Sequence, residues 1–257
     1  MPQPVRSAFE YVAPEAWRAI DFVSDLHLSE RMPRTYQAWR THLLQTRADA
    51  VFMLGDLFEV WVGDDARTQG FARLAVEAMA EAASFRTLGI MVGNRDFLLG
   101  VATLRDCGAT ALPDPTLLSA WGQRIVLTHG DALCLADLPY QRLRRMFRSP
   151  EWQREFLARP LAERQRFAAE VRARSRGRTE LDGDPALDVD AAEAVSLLHG
   201  LGAAEMVHGH THRPGSGELG PGFKRHVLSD WDLDAADRAQ VLRLTRDGFQ
   251  RLPPATR

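Results

Sequence analysis

Several apolar runs in this 257-residue chain end in side chains that can hold a metal ion. Asp25 and His27 close "SDLH", Asp56 closes "GD", Asn94 closes "GN", His129 stands in "THGD", and "HGHTH" offers His208, His210 and His212. Carboxylate, carboxamide and imidazole make the mixed oxygen and nitrogen set that suits borderline divalent ions such as manganese, iron or zinc. Taken singly, each fragment reads as a turn or a surface pair. Their conjunction is the signal, because unrelated strand ends rarely all carry ligand types. Asp25, His27, Asp56, Asn94, His129, His210 and His212 exceed the needs of one ion. They suit two ions about 3.5–4 Å apart, the arrangement that assists phosphoryl chemistry. In Asp25-Leu26-His27 and again in His210-Thr211-His212, the two-residue period of an extended chain is expected to turn both ligands to one side. His208 shares the phase of His210 and reads either as a further ligand or as an outer partner, so it stays outside the ligand set. His42 and His199 fall in helical patterns and His226 in a strand, where a structural role is expected.

The elements that must position these groups follow from periodicity. "AIDFVSD" (19–25), "AVFMLGD" (50–56) and "LGIMVGN" (88–94) alternate with segments of three-and-four spacing, a βαβαβ order that implies an α/β layered sheet with its site beyond the carboxyl ends of the strands. "LLSAWGQRIVLTHGD" reads as two strands joined at Trp121-Gly122-Gln123. "AAEAVSLLHGLGAAEMVHGHTH" (191–212) reads as a helix stopped at Gly202 and then a strand, and the C-terminal region as strands with a hairpin turn at Asp247-Gly248. The interruption is a helical stretch from Pro139 to about Thr179, which reads as an insertion in a single domain spanning 1–257. Between Pro139 and Arg178 it holds a dozen arginines against four glutamates, interleaved with Leu143, Met146, Phe147, Trp152, Phe156 and Phe167. Basic and apolar faces on one small helical unit suit an anionic amphiphile or an acidic membrane surface, the alternative being a self-packed cap with a solvated basic exterior.

Composition narrows the classes. A content of 45% apolar residues fills a proper core, and a net charge of −2 argues against nucleic-acid binding by bulk positive charge. Cys107 and Cys134 stand far apart with no metal or redox spacing, which points to a reducing compartment. The first residues lack a signal-peptide core and no run reaches the length of a membrane span, so the expected location is the cytoplasm, with any membrane contact peripheral.

The series "DLH … GD … GN … H … GHTH" resembles the calcineurin-like metallophosphoesterase superfamily. Within it, "DLHLSE", "LGDLFEVWVGDD", "GNRDFLLG", "LTHGDALCLADLPYQ" and "HGHTHRP" resemble the branch that cleaves UDP-2,3-diacylglucosamine in lipid A biosynthesis, over about Asp21 to Pro214. The resemblance implies a two-sheet β-sandwich flanked by helices with an inserted helical cap. It implies one ion held by Asp25, His27 and His212, the other by Asn94, His129 and His210, with Asp56 bridging them and two Mn²⁺ as cofactors. Asn94, Arg95 and His210 are the expected catalytic groups. Asn94, Arg95, Asp137, Ser175, Thr179 and His210 are the expected substrate contacts, with Tyr140 matching a family pattern whose role is open. The cap would enclose acyl chains, and the anionic cytoplasmic face of the inner membrane would be the peripheral partner.

Two departures matter. Where relatives carry a lysine near the end of the insertion this chain has Asp182, and Arg176 or Arg178 would have to substitute. In most of the superfamily a histidine follows the Asn, commonly regarded as the proton donor to an alkoxide; here it is Arg95. Arginine is always protonated and cannot act as a general acid. A phosphate leaving group, with a second pKa near ~6, needs no proton. Arg95 therefore fits pyrophosphate cleavage, the plain alternative being a local pair with Asp96, which is read as the orienter of the turn. The rival functions are a soluble metallophosphoesterase acting on nucleotides or phosphodiesters, and a metal-binding or lipid-binding module without turnover.

Overall fold

The computed structural model describes residues 8–176 and 188–256, the side chains of 174–176 excepted. Two six-stranded sheets pack face to face. One runs β12 (Gly248–Leu252), β11 (Val241–Thr245), β2 (Ala19–Val23), β3 (Ala50–Leu54), β4 (Thr87–Met91), β5 (Thr110–Ala111). The other runs β1 (Phe9–Val12), β6 (Thr116–Ala120), β7 (Gln123–Thr128), β8 (Glu205–His208), β10 (Phe223–Val227), β9 (Gly215–Gly220). Strands β2 to β5 are parallel, as are β7, β8 and β10.

The inner layer joins Phe22, Phe52 and Leu54 to Leu118, Ile125, Leu127 and Val207 across the sandwich. On the outer face of the first sheet, Val51, Met53 and Ile90 pack on Trp39 and Leu43 of α1 (Pro33–Gln45) and on Val76 and Met79 of α2 (Gly70–Ala83). Both faces of β3 are thus covered, which is why "AVFML" is continuously apolar rather than alternating. The second sheet is covered by α7 (Ala191–Gly200), with Leu197 and Leu198 against Val126 and Met206. Phe52 sits centrally, with the rings of Tyr11, Phe22 and Trp17 at 5.1, 6.0 and 6.4 Å. Truncating it to Ala should cost about 3–5 kcal/mol, a large part of a domain's stability.

Three strands were not expected from the sequence: β1, β5 and β9. Each is the edge of its sheet, where one partner suffices and little apolar patterning is required. Trp121-Gly122 does turn β6 into β7, with φ of 50° and 81°, the mirror-type turn that matches strand twist. The last hairpin closes one residue earlier than expected, since Gly248 already pairs with Thr245 and the loop is Arg246-Asp247.

The arginine-rich stretch is three helices: α4 (Leu138–Phe147), α5 (Pro150–Leu157) and α6 (Leu161–Arg176), preceded in the chain by α3 (Val101–Asp106). Asp137 caps α4 by accepting from Tyr140 N, and Ser149 caps α5 by accepting from Trp152 N, each followed by a first-turn proline. Phe147, Trp152, Phe156 and Phe167 stack on one another at 4.6–6.3 Å, and Phe97 of the core joins them. The arginines divide. Arg144, Arg148, Arg164 and Arg172 reach protein partners, whereas Arg142, Arg145, Arg154 and Arg166 are exposed, as are Leu138, Leu143, Met146 and Leu157.

Candidate metal centre

Strand β2 ends at Val23 and β8 at His208, so Asp25, His27, His210 and His212 lie in loops beyond the strands. Extended-chain alternation is therefore not what brings each pair together. Asp25, His27, Asp56, His210 and His212 all adopt left-handed backbone, with φ of 52°, 48°, 52°, 66° and 51°. Among the described residues only Trp121 and Asp237 join them outside glycine. Each such conformation costs on the order of 1 kcal/mol and persists where its surroundings over-determine it. The loops supply that constraint: Asp25 N donates to Gly55 O at 3.1 Å and His27 N to Asp56 O at 3.0 Å. Glycines let the loops close, for a Cβ on Gly55 would strike the His129 ring and one on Gly93 the Asp56 carboxylate.

Asp96 does orient its turn. It is fully buried and accepts from Gly93 N at 2.7 Å, Leu57 N at 2.7 Å and Phe58 N at 3.3 Å, which staples the loop after β3 to the loop after β4. It is not Arg95's partner. The Arg95 guanidinium stands 3.6 Å from Asp56 and 3.7 Å from Glu59, beside a groove of about 980 Å³ that Met32, Phe58, Trp61, Phe71 and Leu161 also line.

The expected ligands converge. Asp25, His27 and His212 bring one donor atom each within 4.8 Å of the others, and so do Asp25, Asp56 and His129. Asn94 Oδ1 lies 3.0 Å from His129 Nε2 and 2.9 Å from His210 Nδ1. Asp25 is common to the two clusters, and Asp56 stands in the second beside His129. His208 belongs to neither: its Nδ1–H donates to Gly209 O at 2.9 Å, and burial lowers its pKa to about 4. Asp137 is occupied in part by capping α4. Ser175 falls in α6 but its side chain, like all of Arg178, Thr179 and Asp182, lies outside the described residues, as does the Arg176 side chain.

Chemistry of the donor set calls for cations. Leu54 O can only accept, so His129 Nδ1, 3.0 Å away, donates to it and Nε2 faces Asn94 Oδ1 at 3.0 Å; once that nitrogen gives up its proton, its lone pair is free for an ion. His27 Nε2 and His212 Nε2 face each other at 3.3 Å, close enough to share a hydrogen or, when neither carries one, an ion. Nitrogen and oxygen donors that converge in this way from separate loops suit a shared positive ion. Burial, with the charges of Asp96 and Asp25, lifts Asp56 well above the usual carboxylate range, although His129 and Arg95 pull the other way. Burial disfavours a charged His129, yet Asp56, Asp25 and Asp131 outweigh it and raise the imidazole. The Asp56 shift reports first a carboxylate buried away from water, and the His129 shift the carboxylates around it; divalent ions would answer both.

Sequence reasoning missed three acidic groups around this centre. Glu59 lies 3.6 Å from His27 Nδ1, and Asp230 lies 3.8 Å from His212 Nδ1. Asp131 is fully buried and accepts from Tyr140 Oη at 2.6 Å and Arg144 Nε at 2.8 Å, while the Tyr140 ring packs 5.7 Å from His210. No spacing marks Glu59 or Asp230; Asp131 directly follows His129-Gly130 and could have been flagged.

A fold of two sheets with ligand loops at one edge is what a calcineurin-like phosphoesterase presents, and the model of that family matches residues 19–214. The chain belongs to the calcineurin-like phosphoesterase family. Within it, the chain is similar to the UDP-2,3-diacylglucosamine hydrolases. It is 42% identical to that of Chromobacterium violaceum, covering 91% of this chain and 98% of the relative. It is 45% identical to that of Ralstonia nicotianae (91% and 92%) and 39% identical to that of Pseudomonas aeruginosa (90% and 97%).

Proposed function

We propose that the chain hydrolyses the pyrophosphate bond of UDP-2,3-diacylglucosamine to UMP and 2,3-diacylglucosamine 1-phosphate, a step of lipid A biosynthesis, with two Mn²⁺ ions as cofactors. The observation that carries it is the convergence of carboxylate, carboxamide and imidazole groups from separate loops beside a permanently charged arginine that lines a groove of about 980 Å³. Asp25, His27 and His212 would hold one ion and Asn94, His129 and His210 the other, with Asp56 as the carboxylate shared by both. The ions supply Lewis acidity to the diphosphate. Arg95 neutralises charge on the departing phosphate and donates no proton, as that leaving group allows. Asn94 and His210 keep the reacting phosphate in register, and Asp137, Ser175 and Thr179 contact the glucosamine head group.

The helices within 139–179 act as an inserted cap, and the groove has room for acyl chains. The exposed Arg142, Arg145, Arg154 and Arg166, beside Leu143 and Met146, fit an anionic membrane surface, so the protein docks peripherally on the cytoplasmic face of the inner membrane. Among the described residues no helix is long and apolar enough to cross a membrane.

Product analysis in ¹⁸O water, with the chain stripped of metal and then replenished with Mn²⁺, tests the reading. Label in UMP, and only with metal, is the expected result. Equal turnover of a water-soluble phosphodiester would give the function to a soluble phosphoesterase instead. Reversing the four exposed arginines to Glu should weaken binding to anionic vesicles by about 1 kcal/mol for each charge lost, measured by flotation. Unchanged flotation would leave the basic face as a solubilising exterior.

A further inference from the structure

Glu59 stands where three parts of the molecule meet. Its N–H donates to Leu28 O at 3.1 Å, one residue beyond His27. One carboxylate oxygen lies 3.6 Å from His27 Nδ1 and 3.7 Å from Arg95. The other pairs with Arg172 of α6, whose guanidinium also donates to the Glu59 main-chain carbonyl. His27 Nδ1 is buried and makes no hydrogen bond, while Nε2 of the same ring faces His212 Nε2.

An imidazole that gives its Nε2 lone pair to a cation must carry its hydrogen on Nδ1, and that hydrogen needs an acceptor. The acceptor facing His27 Nδ1 is Glu59, and an approach closer by about 0.5 Å makes the bond. We infer that Glu59 is a positioning residue which fixes the His27 tautomer and holds Arg95 beside the metal centre, itself anchored from the other side by Arg172. Asp230 stands to His212 in the same way, but its second tie is to Arg238 rather than to the arginine-rich helices. The inference rests on the ligand assignment proposed above.

Glutamine keeps a neutral acceptor for His27 and loses the charge that holds Arg95; alanine loses both. The two roles therefore separate between Glu59→Gln and Glu59→Ala. Mn²⁺ binding, read as free Mn²⁺ by electron paramagnetic resonance, should weaken at one of two sites by about ten- to a hundredfold in Glu59→Ala and by less than about threefold in Glu59→Gln. Both variants should lose kcat by about tenfold or more. Native Mn²⁺ affinity in Glu59→Ala, or equal weakening in the two variants, would overturn the inference. The titration needs no substrate, so it decides this point even if the native chain fails to cleave UDP-2,3-diacylglucosamine.

Discussion

Asp21 and Asp56 are both buried carboxylates of the same sheet region, one within β2 and one just past β3, and they behave oppositely. Burial pushes Asp21 up, but Arg243 donates to it through Nε at 2.7 Å and a terminal nitrogen at 2.8 Å, Thr46 Oγ donates at 2.6 Å, and His42 stands 3.3 Å away. The outcome is a pKa lowered from 3.8 to about 2. Asp56 accepts one backbone N–H, from Arg95 at 2.8 Å, and its cationic neighbours Arg95 and His129 lie at 3.6 and 3.7 Å, beyond hydrogen-bond reach. Its pKa rises instead. The difference separates two uses of a buried charge. Asp21 finds all its counter-charge inside the fold and ties the C-terminal hairpin and α1 to β2. Asp56 finds too little, and the deficit is what a bound cation completes.

The comparison can be broken most directly at Asp56. Asp56→Asn should cut kcat by more than about 10³, several kcal/mol of transition-state stabilisation. With metal stripped, its melting temperature at pH 8 should equal or exceed that of the native chain, because an uncompensated buried charge has gone. Calorimetry on both chelated proteins checks this, and a clear destabilisation would place Asp56 in the structural class with Asp21. The converse variant, Asp21→Asn, should lose about 3–5 kcal/mol of unfolding free energy by denaturant titration, since it leaves Arg243 without its anion. Its kcat per folded molecule should stay within about twofold of native.

Arg95→Ala sharpens the contrast from the cation's side. Its kcat should fall by roughly 10²–10³, the usual loss for one preorganised electrostatic contact, with Mn²⁺ still bound. Across a leaving-group series of constant charge that penalty should stay flat. A penalty that climbs with leaving-group pKa would mean a proton is delivered there, and the link from Arg95 to a pyrophosphate would fail. The smallest expected effect is with pH. A lowered carboxylate pKa contributes stability that is present above pH 3.8 and lost as pH falls through about 2, on the order of 2 kcal/mol for Asp21. Acid titration of unfolding free energy should show that loss in the native chain and not in Asp21→Asn.

Much of this was legible in the chain. The central strands announced themselves because both their faces are covered, and covered strands must be apolar throughout. The ligand types showed because few other positions place Asp, Asn and His at the ends of such runs. The edge strands β1, β5 and β9 carried no comparable mark, since a strand with one partner and a solvated face obeys a weaker constraint. What the sequence by itself determined was the inventory: which side chains could hold metal, which segments were core, and that an arginine stands where a proton donor is usual. Only the tertiary structure decided how the inventory is used. Left-handed turns, not strand alternation, aim Asp25, His27, His210 and His212, and the turns hold because neighbouring loops bond to them. Arg95 faces Asp56 and Glu59 rather than its sequence neighbour Asp96, because three backbone N–H groups already occupy that carboxylate. Pairings of this kind depend on distances between residues far apart in the chain, and no local pattern encodes those distances.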